Sequence, residues 1–176
     1  ENCRQITFLS ENPWGEFSVF ENWMVINTLE SGSGESIKRV YLIDLESLAY
    51  YLLNETSTND LYSPVSGYPT IDNQSIIFNV AYIGDTYISN FVEIDLTNGR
   101  QEIIWQRTYT NISLPSDIQR SGNDIVWWDN RTGERGDGLY YLLTVEGEER
   151  LLSENYCSIC GTHGIDIDQG SFVYQS

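Results

Sequence analysis

The stretch SDIQRSGNDIVWWDNRTGERGDGLYYLLTVEGEERLLS, residues 116–153, decides the fold. It contains four short apolar runs separated by Gly, Asn and Asp, the residues that turns require. The runs are 116–119, 125–128, 140–145 and 149–153, with a turn expected at 120–123 and a polar hairpin at 129–138. This pattern predicts a four-stranded antiparallel meander.

The rest of the chain repeats this unit in phase. The second-strand cores begin at Met24, Ile76, Ile125 and Phe172, which lie 52, 49 and 47 residues apart. The third-strand cores begin at Ile43, Ile94 and Leu143, and the fourth-strand cores at Leu52, Ile103 and Leu151. The first strands centre on Val19, Ile71, Ile118 and Ile167. Four strand positions that keep one period of about 49 residues indicate a structural repeat.

A four-stranded meander repeated at this period is one blade of a β-propeller, so we predict an all-β propeller of four-stranded antiparallel blades. A β-sandwich has no reason to repeat in phase, and a parallel β-helix has much shorter coils. No segment has the period of a helix. We place full blades at 16–54, 68–106 and 115–153, a partial blade at 164–176 and a fourth-type strand at 4–9, within a single propeller or propeller segment spanning 1–176.

The repeat resembles the TolB-like propellers of secreted and surface proteins. The resemblance lies in Asp117-Ile118, in Gly122 and in the run from Ile125 to Gly133, which reads IVWWDNRTG. It also lies in Ile94-Asp95-Leu96 followed by Asn98-Gly99. It covers essentially the whole chain as a pattern of packing and turns, so it implies a fold and carries no catalytic residue across.

The predicted strand count leaves the propeller incomplete. The last copy provides first and second strands, and strand 4–9 provides a fourth, but no third strand lies between them. Strand 171–176 would therefore expose an unpaired edge, which natural proteins avoid. Three explanations are open: a longer parent chain, a four-bladed ring with one short blade, or copies that complete each other head to tail by strand donation. We favour the first, closely followed by the third.

The net charge of −17, from 26 acidic and 9 basic residues, limits the partners. Such a surface repels phosphate backbones and anionic lipids, so nucleic acid is excluded as a partner. No apolar run is long enough for a membrane span, and membrane insertion is not expected. High charge is mainly a source of solubility, with cation binding as the alternative.

The cysteines indicate an oxidising compartment. Cys157 and Cys160 form a CxxC motif outside the βαβ context of redox proteins, and His163 is the only histidine, so a zinc site lacks ligands. We predict a Cys157–Cys160 disulfide and an extracellular or surface location. Cys3 begins a fourth-type strand on one face of the predicted propeller, whereas Cys157 and Cys160 lie in a linking loop on the other face. We therefore expect Cys3 to be free or to bridge to another chain.

Four sequons also fit an extracellular glycoprotein, because all fall at predicted turns or strand ends. Their asparagines are Asn54, Asn73, Asn111 and Asn130.

The candidate ligand site is a set of aspartates near the first strands. Asp72, Asp117, Asp166 and Asp168 occupy equivalent first-strand regions and would ring the mouth of a central tunnel, where they could bind a cationic peptide or an ion. The structural explanation, which we favour, is that they accept hydrogen bonds from turn amides.

Other motifs have weaker functional readings. The segment 129–134 is similar to a calcium loop but lacks its alternating ligands, so no cofactor is expected and Ca²⁺ is a minor alternative. Arg135-Gly136-Asp137 in the same hairpin could bind an adhesion receptor. The acidic segment 146–149 is expected to be a solvated turn. Aromatic residues, among them Trp105, Trp127, Trp128, Tyr140 and Tyr141, are expected in the core between blades rather than in a sugar-binding platform.

Three functions are therefore considered. The first is a non-catalytic extracellular scaffold for protein contacts or assembly, with protein, including copies of itself, as the partner. The second is a module that binds a peptide, a glycan or Ca²⁺. The third is the propeller of a larger glycosidase or peptidase, which no nucleophile or assignable acid pair supports. We favour the first.

Overall fold

The fold was obtained as a computed structural model that describes residues 12–31, 36–57, 69–83, 86–109, 115–129, 139–143, 147–153, 165–168 and 171–174. In these residues every regular element is a β-strand, and the strands form three four-stranded antiparallel sheets and one two-stranded sheet. The predicted fold class, an all-β propeller of four-stranded blades, is confirmed. The predicted strand 4–9 lies outside the described residues.

Blade 1 is a meander in which each strand pairs with the next. Its strands are β1 (Asn12–Phe20), β2 (Trp23–Ser31), β3 (Ser36–Asp44) and β4 (Tyr50–Ser57). β2 and β3 contain the continuous apolar runs 23–26 and 40–43, which suit strands that bury side chains on both faces of a sheet.

Blade 2 repeats this order with a very short first strand. Its strands are β5 (Thr70–Ile71), β6 (Ser75–Ile83), β7 (Tyr87–Asp95) and β8 (Gln101–Tyr109). Gly99 closes the last hairpin with a φ of 71°, the left-handed conformation that glycine adopts without steric cost.

Blade 3 consists of β9 (Ser116–Ser121), β10 (Asp124–Asp129), β11 (Leu139–Leu143) and β12 (Glu149–Ser153). The fourth sheet is a hairpin of β13 (Ile165–Asp168) and β14 (Ser171–Tyr174).

The blades approach one another along their first strands. β1 lies beside β5, β5 beside β9, and β9 beside β13, which also contacts β10. Successive first strands are therefore neighbours around one side of the molecule, as in a propeller whose blades fan out from an axis.

Two apolar clusters fill the spaces between blades. One joins Val25, Val40 and Leu42 of blade 1 to residues of blade 2 that include Ile76 and Phe78. The other joins blade 2 to blade 3 through Phe91, Trp105, Ile118 and Trp127, with Ile77, Tyr109, Ile125 and Leu143. Blades 1 and 3 thus each bury one face against blade 2, and blade 2 buries both of its faces.

The register corrects two details of the predicted blade 3. Arg120 pairs with Ile125, as Val19 pairs with Met24 and Ile71 with Ile76. Arg120, not Ile118, therefore occupies the position of Val19 and Ile71. The predicted turn at 120–123 is also too long, because β9 continues to Ser121.

The third strands of blades 1 and 2 end one residue before their predicted cores, Ile43–Leu45 and Ile94–Leu96, are complete. β3 ends at Asp44 and β7 at Asp95, so Leu45 and Leu96 lie in the following turns. The buried parts of these strands lie further towards their beginnings, at Val40–Ile43 and Phe91–Val92.

Candidate functional site: the open face of blade 1

One face of blade 1 carries two rows of apolar residues that run across all four strands. Val19 pairs with Met24, Met24 with Ile43 and Ile43 with Tyr50; the second row pairs Phe17, Ile26, Tyr41 and Leu52 in the same way. Directly paired residues on antiparallel strands project from the same side of a sheet. We call these eight residues the open face.

The opposite side of blade 1 packs on blade 2. Val25 and Leu42, which alternate with the open-face residues, belong to the cluster between the two blades. The open face therefore points away from blade 2. The centre of the open face forms its own cluster, in which Met24, Tyr41 and Ile43 are buried and Ile26 and Leu45 pack against them.

First-strand positions of the open face are exposed, whereas equivalent positions in the other blades are buried. Val19 is 49% exposed, whereas Ile71, its equivalent in blade 2, is 6% exposed. Phe17 is 64% exposed, and Ile118, which matches it by register in blade 3, is 0% exposed. A preceding blade covers these positions in blades 2 and 3. The exposed rim of the open face is thus a blade-packing surface without the same cover.

Exposure at the fourth strand has a different cause. Leu52, Ile103 and Leu151 occupy equivalent positions, and all three are exposed, although blades 2 and 3 each have a preceding blade. Fourth strands lie at the outer edge of the fan, where neighbouring blades diverge. Phe17 and Val19 therefore distinguish the open face better than Leu52 does.

Charged side chains border the open face at its far end. Arg39 Nη1 donates to Glu30 Oε2 at 2.9 Å, and Arg39 Nε contacts Glu55 Oε2 at 2.5 Å. The single lysine of the chain, Lys38, is buried instead, and desolvation lowers the pKa of its ammonium group. The rim of the open face therefore has an acidic balance.

The interface between blades 2 and 3 shows how side chains pack when a neighbouring blade covers such a face. Phe91 stacks on Trp105 with ring centroids 4.4 Å apart, and Trp127 meets Phe91 edge-on at 5.1 Å. This arrangement confirms that Trp105 and Trp127 are core residues between blades and not a sugar platform. Trp128 is half-buried at the opposite side of its strand, and the side chains of Tyr140 and Tyr141 lie outside the described part of the structure.

Polar contacts also cross the covered interface. Arg120 of blade 3 donates to Ser75 and Glu93 of blade 2, and its Nε lies 3.1 Å from Asp72 Oδ2 while donating to the Gly122 carbonyl. The guanidinium is almost completely buried, which makes this contact much less screened than a surface ion pair. Arg120 is not among the predicted site residues, because the turn was expected to begin at this position.

Glu149 also departs from its prediction as part of a solvated turn. It lies in β12, where its carboxylate accepts hydrogen bonds from Trp105 Nε1 at 3.0 Å and Arg107 Nη1 at 3.2 Å. Glu149 therefore links blade 3 to β8 of blade 2. The strand pairing could have predicted this contact. Glu149 pairs with Leu143, so it projects from the side of blade 3 that packs on blade 2.

The candidate aspartates lie in or next to neighbouring first strands. Asp72 follows β5, Asp117 lies in β9, and Asp166 and Asp168 lie in β13. Asp72 Oδ1 accepts the backbone N–H groups of Gln74 and Ser75 at 2.8 and 2.9 Å, which is the turn role that we favoured for it. The side chains of the other three lie outside the described residues, and ligand binding at a tunnel mouth stays a prediction.

Two further aspartates close equivalent turns after the third strands. Asp44 accepts from the Ser47 hydroxyl and the Glu46 amide, and Asp95 from the Thr97 hydroxyl and amide. These hydrogen bonds favour the ionised form, so they lower the pKa of both carboxyl groups. The Ile-Asp-Leu pattern that blades 1 and 2 share thus indicates a turn and not a ligand site.

The other predicted sites are only partly placed. Asn54 is half-buried in β4, and Asn73 is exposed in the turn between β5 and β6. Asn111, Asn130, Cys3, Cys157, Cys160, His163 and the segment 135–137 lie outside the described residues.

The candidate calcium loop begins with a residue that has another role. Asp129 is completely buried, and its Oδ2 accepts a hydrogen bond from the Tyr109 hydroxyl at 2.7 Å. Asp129 therefore joins blade 3 to β8. Within the residues that the structure describes, no group of three His, Cys, Asp or Glu side chains is arranged to hold a metal ion.

A polar cleft of about 370 Å³ lies beside the Arg120 contact. Its lining includes Glu93, Asp95, Arg100, Glu102 and Arg120. The cleft mixes both charge signs, and its arginines already pair with neighbouring carboxylates. It therefore has no clear preference for an anion or a cation.

Across the described ranges, no helix has the length and apolar character needed to cross a membrane.

Comparisons with known proteins give no family for the chain. No protein-family model and no curated protein matches it. Among solved structures, a Synechocystis ACO mutant aligns with 10% identity and a TM-score of 0.39, over 73% of this chain and 35% of its own. A europium-containing methanol dehydrogenase aligns with 11% identity and a TM-score of 0.39, over 80% of this chain and 26% of its own.

The chain thus spans about a third or less of the length of these two structures. The assignment of the fold rests on the sheets, their register and the packing between them. By those features the chain is a β-propeller module of four-stranded blades.

Proposed function

We propose that the chain is a non-catalytic scaffold for protein contacts and assembly, related to the TolB-like propellers that its repeat resembles. The observation that carries this proposal is the open face of blade 1. Its first strand presents Phe17 and Val19 in solvent, whereas Ile118 of blade 3 and Ile71 of blade 2, at equivalent positions, are packed against protein. Phe17 and Val19 are two residues apart on β1 and project from the same side, and exposed apolar side chains grouped in this way are a mark of an interaction site.

The energetics favour a protein partner over a small ligand. Burial of apolar surface stabilises a complex by about 25 cal/mol per Å². The clefts beside Arg120 are lined by none of the open-face residues, and a broad partner covers a sheet surface better than a small molecule does. Large aromatic side chains such as Phe17 and Tyr50 are typical anchors of protein interfaces.

An extracellular location completes the proposal. It rests on the Cys157–Cys160 pair and on the sequons, of which Asn73 is exposed in a turn where a glycan has room. Intact-mass measurement of the chain from an oxidising secretory host, before and after reduction and deglycosylation, tests both features.

Sedimentation velocity across a concentration series tests the scaffold function. The chain has a mass of 20.2 kDa, and assembly predicts species of higher mass that grow with concentration. A single species of 20.2 kDa over the whole series contradicts the proposal.

A second candidate function, ligand binding at the first strands, is supported by the placement of aspartates along adjacent strands β5, β9 and β13. Thermal unfolding with millimolar Ca²⁺ and then with a chelator distinguishes it. A reversible increase in melting temperature favours a calcium-binding module, whereas an unchanged temperature leaves assembly as the better-supported function.

A further inference from the structure

We infer that the polar cleft beside Arg120, between blades 2 and 3, binds a small zwitterion, namely an α-amino acid with an apolar side chain. The cleft has a volume of about 370 Å³, at the lower end of the roughly 300–1,000 Å³ that is typical of ligand pockets. This inference goes beyond the proposed scaffold function and does not depend on it, because no open-face residue lines the cleft.

Comparison with blade 1 explains why a cleft exists here. In blade 1, Trp23 and Tyr51 project towards blade 2, with ring centroids 6.4 Å apart. The strand register gives their positions in blade 2 to Ser75 and Glu102, which line the cleft. Because a serine is much smaller than a tryptophan, the space that aromatic rings occupy on blade 1 is open on blade 2.

The charges of the cleft also stand where the preceding interface has apolar contacts. Leu42 and Ile71 belong to the apolar cluster between blades 1 and 2. One blade further on, Glu93 takes the position of Leu42. Arg120 takes the position of Ile71 and pairs with Glu93. Packed apolar side chains often stabilise a protein at least as well as a buried ion pair does, because the removal of charges from water is costly. Packing therefore does not require this pair, whereas recognition of a charged ligand does.

Arg120 is fixed in place and still has a donor for a ligand. Its Nε donates to the Gly122 carbonyl at 2.6 Å, and its Nη1 donates to Ser75 and Glu93. Within the described part of the chain, none of its contacts uses Nη2. A guanidinium that is already held by several partners loses little conformational freedom on binding. Its Nη2 is therefore a preorganised donor for a carboxylate.

A second pair of charges can recognise both ends of a zwitterion. Arg100 Nη2 lies 2.9 Å from Glu102 Oε2, and the two side chains are 74% and 46% exposed. Exposed ion pairs contribute little stability, so this one opens readily. The ligand carboxylate then binds Arg100 and Nη2 of Arg120, and the ammonium group binds Glu102 and Glu93, which are paired across β7 and β8. A simple anion would leave Glu102 without its partner, and a simple cation would leave Arg100 without one.

A smaller cleft of about 210 Å³ defines the side chain of the ligand. It shares Glu93 and Arg120 with the polar cleft and is also lined by Ile104, Ile125 and Leu143. An amino acid that places its charged end at Arg120 can direct its side chain among these three apolar residues. Burial there favours an aliphatic or aromatic side chain, whereas a charged side chain would lose its hydration. The ligand class is therefore an apolar α-amino acid.

Isothermal titration calorimetry at neutral pH with L-leucine, L-isoleucine, L-valine, L-methionine and L-phenylalanine tests the inference. At least one of them should bind with a millimolar or lower Kd. For the tightest ligand, the analogue without the ammonium group and the analogue without the carboxylate should each bind at least about tenfold more weakly, because each loses charge-assisted hydrogen bonds. Glycine, which lacks the apolar side chain, should also bind more weakly. No binding by any of the five, or an analogue that binds as tightly as its parent compound, overturns the inference.

Two substitutions of exposed arginines locate the site. Arg100→Gln removes a charge from the polar cleft, and Arg150→Gln removes one from an ion pair with Glu148, neither of which lines either cleft. Both variants should melt as the parent does, because these arginines are 74% and 62% exposed. Arg100→Gln should weaken amino-acid binding at least about fivefold, and Arg150→Gln less than about twofold. Equal effects of the two variants place the ligand elsewhere and overturn the inference, whatever the assembly state of the chain.

Discussion

Blade 1 and blade 3 place the same kind of sheet face in two different surroundings. Phe17 and Ile118 have the same register in their blades, yet Phe17 is mostly exposed and Ile118 is completely buried. The residue type does not explain the difference, because both are large and apolar. The neighbouring blade explains it. Burial in this protein is thus a property of the stack of blades, and the single sheet supplies only the apolar surface.

The largest expected effect comes from truncating these two equivalent residues. Ile118→Ala should lower the free energy of unfolding by about 2–5 kcal/mol, because it leaves a cavity in a packed core. Phe17→Ala should lower it by less than about 1 kcal/mol in the dilute monomer, because most of the ring is already in water. Urea denaturation at low protein concentration measures both values. Similar losses for the two variants would mean that the faces are equally packed.

The next effect concerns the position at which blade 3 has an arginine and blade 1 has a valine. Arg120→Met removes the cation that contacts Glu93 and Asp72, whose carboxylates are largely shielded from solvent. Breaking such a pair is expected to cost about 2–4 kcal/mol. Val19→Met is the matched control and should change stability by less than about 0.5 kcal/mol. Adding Glu93→Gln to Arg120→Met should recover part of the loss, and no recovery would argue against the ion pair.

A smaller effect is expected at the hydrogen bond from Tyr109 to Asp129. Tyr109→Phe removes the hydroxyl that donates to a fully buried carboxylate, which should cost about 1–3 kcal/mol. Tyr87→Phe is the control, since its ring packs against the same cluster. Chemical denaturation at neutral pH compares the two, and an equal effect would show that the Asp129 contact adds nothing.

The smallest effect is a pH dependence of the turns that Asp44 and Asp95 close. The folded protein lowers the pKa of each carboxyl group, so their contribution is fully present above the ordinary aspartate pKa of about 3.9. It is lost as the pH falls through the lower folded value. The stability difference between the parent and Asp95→Asn should therefore shrink as the pH decreases below about 4. A difference that stays constant between pH 7 and pH 3 would contradict this role.

The sequence predicts the repeated meander because apolar runs and turn residues are local signals. The hairpins at Asn98-Gly99 and Gly122-Asn123 illustrate this, since both glycines have the positive φ that their turns require. Such turns bring the two flanking strands side by side, so that adjacent strands pair antiparallel. The fold class was therefore accessible without coordinates.

Features that depend on contacts between blades were not accessible in the same way. The sequence aligned Ile118 with Val19 and Ile71, but by register Arg120 holds their position in blade 3, and its side chain pairs with blade 2. Glu149 was expected to be solvated, but Trp105 and Arg107 approach it from the other blade. The open face was missed for the same reason, since only packing shows which of two apolar faces is covered.

Hydroxyl-radical footprinting of the parent chain over a concentration series tests the central claim most directly, because it reports the solvent exposure of individual aromatic side chains. Tyr50 and Tyr51 should react equally in dilute solution, in keeping with their 51% and 52% exposure. As the chain assembles, the account predicts that Phe17 and Tyr50 become protected while Tyr51 keeps its reactivity. Protection of Tyr51 alone, or unchanged reactivity of Phe17 and Tyr50 in assembled protein, would contradict the claim that the exposed residues of the open face form the assembly surface.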